Sequence, residues 1–477
     1  MRASLAIAIA FAAFVALFAM APADAVSLNP RGLGQVLIFP YYTVNNNQDT
    51  LLSVGNAGSA GKMVRVRFHE SYNARSVLEF NLFLSPHDVW TAAITQTTAD
   101  GLALIRTSDH SCTDPPIPSV GQQFSTIDYA SFDLGTLDSG PQTPARTREG
   151  YIELIAVGDT TPGDALDQTI THVQTGQPGG GVPVCDAGIL LTAAPTVAPT
   201  ATLFGSVAIV NVGQGTFFGY TPDALTGFTD VPLALSPTLE AANTAVSAPL
   251  IRASVLVGDR PLDVDYAFPI DAVSAVFMAD SIYNEYFVDS SFGASTDWVV
   301  TLPTRAFYTD PALAQTVVPP FGALFQNGRS DTFVGGTVYD REEGEVTPIV
   351  ACQLCPPVAP IPSFPYAVNV VGLGPAVFGS TVMSFSIPLG ASTTGDIVMN
   401  LVDTGGIQQL PDGTDADGNA VTLLGLPVTG FMAYNVINTN AQPGLLANYS
   451  GVFANRATAS CSGSSTSCAT IITSPPR

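Results

Sequence analysis

The most regular feature of the chain is an alternation of apolar and polar residues over short stretches. Val64, Val66 and Phe68 alternate with Arg65 and Arg67, for example. A period of two is typical of a β-strand that buries one face. This alternation, together with apolar runs bounded by Gly, Asn and Pro, predicts strands at 35–44, 51–56, 64–69, 78–84, 89–94, 151–157, 205–212, 273–278, 283–288, 297–302, 333–339, 367–371, 381–387, 396–401, 421–424 and 430–437.

Two long irregular segments interrupt this rhythm in the first half of the chain, at 106–149 and 159–199. Loops of this length are uncommon in a compact domain unless they are functional or tied down. Near the middle of the chain, Pro237 follows the capping residue Ser236, which predicts a short helix leading into residues 241–246.

These elements predict an all-β fold with two tandem antiparallel β-sandwich domains, immunoglobulin-like or jelly-roll-like, with long loops and few short helices. The predicted organisation is a signal peptide at 1–25, an N-terminal sandwich at 26–235, a C-terminal sandwich at 236–456 and a Ser/Thr/Pro-rich tail at 457–477.

The first 25 residues have the pattern of an export leader. Arg2 gives a basic start, residues 5–20 are almost entirely apolar, and Ala23-Asp24-Ala25 matches a signal-peptidase site. We therefore expect an exported protein, located in the periplasm, at the cell surface or outside the cell. No second apolar run reaches the roughly 20 residues of a membrane-spanning helix.

Charge is scarce and mostly negative. Charged residues make up 12% of the chain, the formal net charge is −23, and Lys62 is the only lysine. Binding to nucleic acid requires clustered cations that displace counterions from phosphates, so this class of partner is disfavoured. Anionic lipid surfaces are disfavoured for the same reason.

The six cysteines all lie beyond the leader, and an even number in an oxidising compartment indicates disulfides. The most economical pairing joins cysteines from similar loop-rich surroundings: Cys112 with Cys185, Cys352 with Cys355, and Cys461 with Cys468. Cys352 and Cys355 also have the spacing of a redox dithiol. Prolines follow them instead of a helix, and no second pair has zinc-ligand spacing, so a local disulfide is favoured.

One acidic stretch is a candidate calcium turn. Asp412, Asp415, Asp417 and Asn419 place four oxygen ligands within eight residues that also contain glycines. An EF-hand register fails, because it leaves glycine and leucine at positions that need carboxylates. The alternative is a polar connection between two strands, in which Asp and Asn serve the turn geometry. We expect no other cofactor.

Recognisable catalytic motifs are missing from the sequence. The histidines are dispersed, and neither a Gly-x-Ser-x-Gly elbow nor a Gly-x-x-x-x-Gly-Lys phosphate loop occurs. The acidic run at 340–345 is interpreted as a solvated turn. The pair His87-Asp88 becomes a catalytic candidate only if folding brings a serine beside it.

Aromatic clusters give a softer indication of binding. Tyr41-Tyr42, the segment 217–220 and the segment 283–287 are candidates for stacking on sugars, although the cores of sandwiches use the same residue types.

Three stretches carry a family resemblance: residues 35–92, residues 284–305, and residues 425–430 together with 446–451. In these stretches the chain resembles a group of exported, uncharacterised proteobacterial proteins. The resemblance implies a location in the bacterial envelope or outside the cell. It implies no activity, cofactor or catalytic residue.

The favoured function is that of a non-enzymatic structural or interaction protein of the cell surface or extracellular matrix, with protein or carbohydrate partners. The first alternative is a secreted polysaccharide hydrolase, whose carboxylates would converge only after folding. The second is an outer-membrane β-barrel, because barrel strands also alternate. Proline-rich loops, cysteines and a polar end of the chain count against the barrel.

Overall fold

The computed structural model describes residues 25–96, 101–173, 181–242, 250–258, 260–314, 316, 318–349, 362–403, 405–438, 442, 445 and 447–469. Over these residues, antiparallel sheets dominate and helices are few and short, which confirms the predicted all-β class. The predicted signal peptide lies outside the described residues, apart from Ala25. Cys352 and Cys355 also lie outside them.

The first half of the chain builds two sheets. Its described strands are β1 (Ser27–Leu28), β2 (Val36–Thr43), β3 (Asp49–Asn56), β4 (Lys62–Glu70), β5 (Ser76–Leu84), β6 (Val89–Gln96), β7 (Ala103–Arg106), β8 (Thr113–Asp114), β9 (Gln122–Gln123), β10 (Glu149–Asp159), β11 (Leu203–Asn211), β12 (Thr216–Tyr220) and β13 (Asp223–Thr226). Sheet 1 has the order β1-β13-β2-β10-β4-β5-β8, and sheet 2 the order β12-β11-β3-β6-β7-β9. Every strand predicted before residue 213 is present.

The second half builds four further sheets. Its described strands are β14 (Ile251–Val257), β15 (Arg260–Tyr266), β16 (Met278–Ala279), β17 (Ser281–Phe287), β18 (Ala294–Thr301), β19 (Gly335–Asp340), β20 (Glu345–Ile349), β21 (Val368–Leu373), β22 (Met383–Ser386), β23 (Thr394–Asn400), β24 (Gln409–Thr414), β25 (Ala420–Leu424), β26 (Leu426–Pro427), β27 (Thr429–Val436), β28 (Tyr449–Ala454), β29 (Arg456–Thr458) and β30 (Cys461–Gly463).

These strands are distributed over more sheets than the two of a single sandwich. Sheet 3 has the order β14-β15-β24-β25-β30, sheet 4 the order β20-β19-β23-β17-β29, and sheet 5 the order β22-β21-β18-β27-β28, while β16 and β26 pair separately. Neighbouring strands run antiparallel, except that β21 and β22 run parallel.

The helices are α1 (Ile127–Ala130), α2 (Ala165–Ile170), α3 (Ala187–Leu191), α4 (Pro269–Ala275), α5 (Ala306–Thr309) and α6 (Thr466–Ala469), with 3₁₀ turns at Pro144–Arg148, Leu239–Ala241 and Ser290–Phe292. The prediction of a strand at 273–278 is wrong, because the first half of this segment belongs to α4 and only Met278 belongs to a strand, β16. Pro269 occupies the first turn of α4, where its missing N–H costs no hydrogen bond.

The predicted tail also differs from the structure. Strand β29 pairs with β17, and β30 pairs with β25. Residues 456–463 therefore extend two sheets at their edges. At a sheet edge, Ser and Thr side chains remain hydrated and need no partner in the core. Composition alone indicates a loose segment here.

The apolar core continues from the first half of the chain into the second. Trp90 and Trp298 are both fully buried in it. Trp90 of sheet 2 contacts Phe80 of sheet 1 edge-on, with ring centroids 5.7 Å apart, so these two sheets pack face to face. A smaller cluster around Cys112 packs beneath the two long loops.

The junction segment, residues 377–381, ties the halves together through Glu149. The Glu149 carboxylate is buried and accepts hydrogen bonds from the Tyr41 hydroxyl at 2.9 Å, the Ser380 hydroxyl at 2.7 Å and the Thr381 amide at 2.7 Å. Glu149 and Tyr41 belong to sheet 1. The carboxylate therefore fixes the second half of the chain to the first.

Asp297 of β18 holds the other end of the junction segment. Its carboxylate accepts hydrogen bonds from the amides of Val377 and Phe378, at 2.9 and 3.0 Å. The Phe378 ring packs against Tyr41 with ring centroids 5.1 Å apart. Burial raises the pKa of Asp297 to about 6, although the two amide hydrogen bonds act in the opposite direction.

Candidate functional site

Sheet 2 has one face against the core and one face open to solvent. Along β3, Leu52 and Val54 point into the core, while Leu51 and Ser53 point outward. Ser53 lies directly opposite Ser206 of the neighbouring strand β11. The alternation of each strand thus places small and hydroxyl-bearing side chains side by side on the outer face.

This outer face is concave over its central strands and forms a groove of about 630 Å³. Small apolar side chains make up part of its floor, chiefly Leu51, Ala93 and Ala208. Hydroxyl groups line the rest: Ser53, Thr91, Thr107, Ser108, Ser119 and Ser206. We call this feature the sheet-2 groove.

Two exposed phenylalanines lie over glycines on the same face. A Cβ atom at Gly55 would lie 2.3 Å from the Phe204 ring, so this ring covers Gly55 directly. A Cβ atom at Gly219 would lie 2.8 Å from the nearest atom of the Phe217 ring. Phe204 is 36% exposed and Phe217 is 58% exposed. Glycine at these positions leaves room for each ring against the sheet.

The cross-strand register places both rings beside the sheet-2 groove. Gly55 lies opposite Phe204, two residues along β3 from Ser53. Gly219 lies opposite Ala208, which lines the groove. One ring therefore borders the groove at its end and the other borders it at its side.

Few charges face the sheet-2 groove. Arg106 lines one wall and has no ion-pair partner among the described residues. Asp49 points to the same face beyond Leu51, and partial burial raises the pKa of its carboxyl group. Hydroxyl groups, flat rings and low charge together suit a neutral polyhydroxylated ligand, whose hydroxyls hydrogen-bond and whose C–H faces stack.

The aromatic clusters named from the sequence have different fates. Tyr41, Tyr42 and Phe218 are buried in the core, whereas Phe217 remains exposed on sheet 2. Phe204 was not among the sequence candidates, because the alternation of one strand does not reveal which apolar residue faces solvent. A glycine opposite an aromatic residue is the signal that identifies Phe204.

Two of the three predicted disulfides are confirmed. Cys112 pairs with Cys185, and Cys461 pairs with Cys468, with Cα–Cα distances of 5.4 and 5.1 Å. The first bond joins the two long loops, as expected. The predicted pair Cys352 and Cys355 lies outside the described residues, so this pairing stays a prediction.

The candidate calcium residues lie on one strand and on the turn that follows it. Asp412 belongs to β24, while Asp415, Asp417 and Asn419 belong to the turn before β25. The Asp415 carboxylate accepts hydrogen bonds from the Asp417 and Asn419 amides, at 3.0 and 2.8 Å. Across the described part of the chain, no group of three or more His, Cys, Asp or Glu side chains is placed to hold a metal.

The charge of Asp412 acts on the pKa of a second carboxyl group, that of Asp271 in α4. Burial raises the pKa of Asp271, a hydrogen bond from the Tyr308 hydroxyl at 2.6 Å opposes this, and the charge of Asp412 raises it further. Among the described residues, the buried Tyr266 hydroxyl has no hydrogen-bond partner.

Folding does bring serines beside Asp88. Its carboxylate accepts a hydrogen bond from Ser111 at 3.0 Å and lies 3.7 Å from Nδ1 of His172. Ser85 Oγ lies 3.2 Å from the same His172 nitrogen. In a catalytic triad, serine and carboxylate occupy opposite nitrogens of the imidazole. The cluster therefore lacks triad geometry, and His87 is not part of it.

The acidic run is a solvated turn, as expected. The Asp340 carboxylate accepts hydrogen bonds from the Glu342 and Gly344 amides, at 2.9 and 2.8 Å, and closes the turn between β19 and β20. Arg341 and Glu342 are exposed.

Several charged groups are buried for structural reasons. Arg146 has a fully buried side chain and forms ion pairs with Glu70 at 2.6 Å and Asp138 at 2.5 Å. Its guanidinium also lies 4.3 Å from the centre of the Tyr129 ring. Burial alone would raise the pKa of Asp138, but Arg146 holds it below its usual range.

Comparison with models of protein families, with curated proteins and with solved structures found no match. Among the described residues, no helix has the length and apolar character needed to cross a membrane. The disulfides are compatible with an exported protein.

Proposed function

We propose that the protein is an exported, non-enzymatic binding protein of the bacterial envelope or extracellular matrix, and that it holds a neutral glycan in the sheet-2 groove. The observation that carries this proposal is the groove itself: hydroxyl side chains bordered by two exposed phenylalanine rings that lie over glycines. Sugars offer hydroxyl groups and apolar C–H faces, which match these two kinds of surface.

The rest of the molecule supports a durable scaffold for such a site. The two long loops are joined by a disulfide, and the halves of the chain share buried contacts. A rigid sheet keeps the groove formed in the absence of ligand, which lowers the entropic cost of binding.

The first test is a glycan microarray probed with the purified protein and with Ser206→Arg. Ser206 is exposed and lines the groove, so arginine there projects into the groove without disturbing the core. We expect the protein to bind neutral glycans and the variant to lose about 90% or more of the signal. No binding, binding only to charged glycans, or equal binding by the variant would refute the proposal.

The second test concerns location. Fractionation of the native host should recover the protein from the periplasm, cell surface or medium, with all six cysteines oxidised. Recovery from the cytosol with reduced cysteines would remove the basis for an exported protein.

A polysaccharide hydrolase is the second candidate function, and one observation favours it. Asp271 is a carboxyl group with a raised pKa beside another carboxylate, Asp412, which is a pattern that suits an acid and a base. Incubation with the glycans that bind should release reducing ends if this candidate is correct. Release by the wild type and not by Asp271→Asn would replace the non-enzymatic proposal.

A further inference from the structure

A buried ion pair joins two neighbouring strands of sheet 1. Lys62 is the first residue of β4 and lies directly opposite Asp159, the last residue of β10. The two side chains are 0% and 3% exposed, and Nζ of the lysine contacts Oδ1 of the aspartate. Lys62 is the only lysine of the chain. The protein therefore places its single lysine amine against a carboxylate and away from solvent.

The surroundings of Lys62 are those of the core. By the alternation of β4, Lys62 shares a face with Val64 and Val66, which are fully buried. Leu84 of β5 lies opposite Lys62 on the other side of β4 and is also fully buried. Burial lowers the pKa of Lys62, although the charge of Asp159 and the hydrogen bond to its carboxylate act in the opposite direction. Burial thus favours the neutral amine, which is the nucleophilic form.

Thr200 completes the polar groups around this pair. Its carbonyl oxygen and its Oγ1 lie 2.9 and 3.2 Å from Nζ of Lys62 and accept hydrogen bonds from it. The Thr200 amide donates a hydrogen bond to Oδ2 of Asp159 at 3.1 Å, and the Thr200 hydroxyl donates to the same oxygen at 2.7 Å. Oδ2 is therefore held by two donors, while Oδ1 faces the amine.

An amine and a carboxyl group in this arrangement can condense to an amide. Transfer of one proton from the ammonium to Oδ1 gives a neutral pair and relieves the cost of burying two charges. The neutral amine then attacks the carboxyl carbon, and the Thr200 amide stabilises the negative charge that develops on Oδ2. Because the two groups are held on adjacent strands, little further freedom is lost when they react.

We propose that Lys62 and Asp159 form an intramolecular amide bond, which links β4 to β10 through their side chains. A bond forms between Nζ of the lysine and Cγ of the aspartate, and the bond between Cγ and Oδ1 breaks. The nitrogen gives up a second proton through the Thr200 hydroxyl, which contacts both Nζ and Oδ2. Oδ1 leaves as water with the two protons that the ammonium lost.

The linkage adds a covalent tie to the centre of sheet 1. It joins residues that are 97 positions apart, and it lies beside the pairing of β10 with β4. Unlike the disulfides, an amide bond is not broken by reduction. The linkage does not depend on the proposed glycan site, because Lys62, Asp159 and Thr200 do not line the sheet-2 groove.

The first test is the mass of the purified protein after reduction and denaturation. We expect the wild-type chain to be lighter than its sequence by one water. Lys62→Arg keeps the positive charge beside Asp159 but removes the amine, so this variant should have the full mass of its sequence. Trypsin does not cleave after an acylated lysine. A digest of the wild type should therefore contain residues 32–65 joined to residues 149–252.

The second test concerns the role of Thr200. Thr200→Val removes the hydroxyl and keeps the amide that holds Oδ2. The matched control is Thr161→Val, because Thr161 is exposed and lies two positions beyond Asp159. The linked fraction is measured in samples taken at intervals after a pulse of synthesis. We expect Thr200→Val to form the linkage about a hundredfold more slowly than wild type, and Thr161→Val to form it at the wild-type rate.

Three results would overturn the inference. One is a wild-type chain of full mass in which trypsin cleaves after Lys62. Another is a loss of water that persists in Lys62→Arg, which would place the dehydration at a different site. The third is an equal rate of linkage in Thr200→Val and Thr161→Val, which would exclude the proton transfer through Thr200.

Discussion

At the scale of single residues, Asp297 is the buried group whose protonation bears most directly on stability. Its pKa is raised to about 6, while an unfolded aspartate titrates near 4. The folded protein therefore binds the proton more tightly between these values. It follows that the contribution of Asp297 to the free energy of unfolding is largest at low pH and falls as the pH rises through about 6.

We predict that Asp297→Asn removes this pH dependence. The amide oxygen can still accept the hydrogen bonds of Val377 and Phe378, and no charge is buried at neutral pH. Relative to wild type, the variant should gain on the order of 2–3 kcal/mol between pH 4 and pH 7. Denaturant unfolding at several pH values measures this difference. Asp133→Asn, at an exposed position, controls for the lost charge, and parallel curves for Asp297→Asn and wild type would contradict the prediction.

Arg146 gives a second prediction at this scale. Arg146→Met leaves Glu70 and Asp138 buried without their counter-charge, so we expect a loss of about 3–5 kcal/mol in the free energy of unfolding. Arg329→Met removes an ion pair with Asp331 in which the arginine side chain is 52% exposed, and should cost less than about 1 kcal/mol. Equal losses for Arg146→Met and Arg329→Met in urea unfolding would show that burial of the Arg146 ion pairs does not increase their contribution to stability.

Single residues were also where the sequence was least informative. Arg65 and Arg67 form the polar face of a predicted strand, yet both are buried, because the Ser236–Pro237 region covers that face and accepts hydrogen bonds from Arg67. Arg146 and Glu70 lie 76 positions apart. A local pattern shows that a strand has two faces, but it does not show what will cover the second one.

At the scale of elements, the strands were predictable because alternation is a local property, and most predicted strands are present. Helix α4 was not predicted, because its apolar residues form too short a run to distinguish a period of two from one of 3.6. The sheet-2 groove was not predictable either. It depends on which strands become neighbours, and pairs such as Ser53 with Ser206 join residues far apart in the chain.

The Cys112–Cys185 bond gives a prediction at this scale. Replacing both cysteines by serine should lower the free energy of unfolding by about 4 kcal/mol, because the bond spans 73 positions. The Cys461–Cys468 bond spans 7 positions, and its removal should cost about 2.5 kcal/mol. Urea unfolding compares the two double variants. A larger loss for the shorter loop would contradict the chain-entropy explanation.

The exposed ring of Phe204 gives a second prediction at the scale of elements. Phe204→Ala should weaken glycan binding about tenfold by removing the stacking surface, while sheet 2 keeps its backbone pairing. Phe292→Ala is the matched control, since Phe292 is 59% exposed and belongs to the second half of the chain. Calorimetric titration with the glycan measures the affinity of both variants. An equal loss in the two variants would exclude a specific role for Phe204.

At the scale of the whole molecule, the junction segment joins the halves through buried polar groups and aromatic packing. We therefore predict that both halves unfold in one transition, with the calorimetric enthalpy equal to the van't Hoff enthalpy. Glu149→Ala should lower the transition temperature, because four donors lose their acceptor. Two separate transitions in the wild type would show that the halves are independent.

The central claim is that an exported scaffold presents a glycan site on the open face of sheet 2. A crystal structure with a bound neutral oligosaccharide tests it most directly. We predict a sugar ring stacked on Phe204, with its hydroxyl groups bonded to Ser53 and Ser206. An oligosaccharide bound on any other surface, with the sheet-2 groove empty, would contradict the claim.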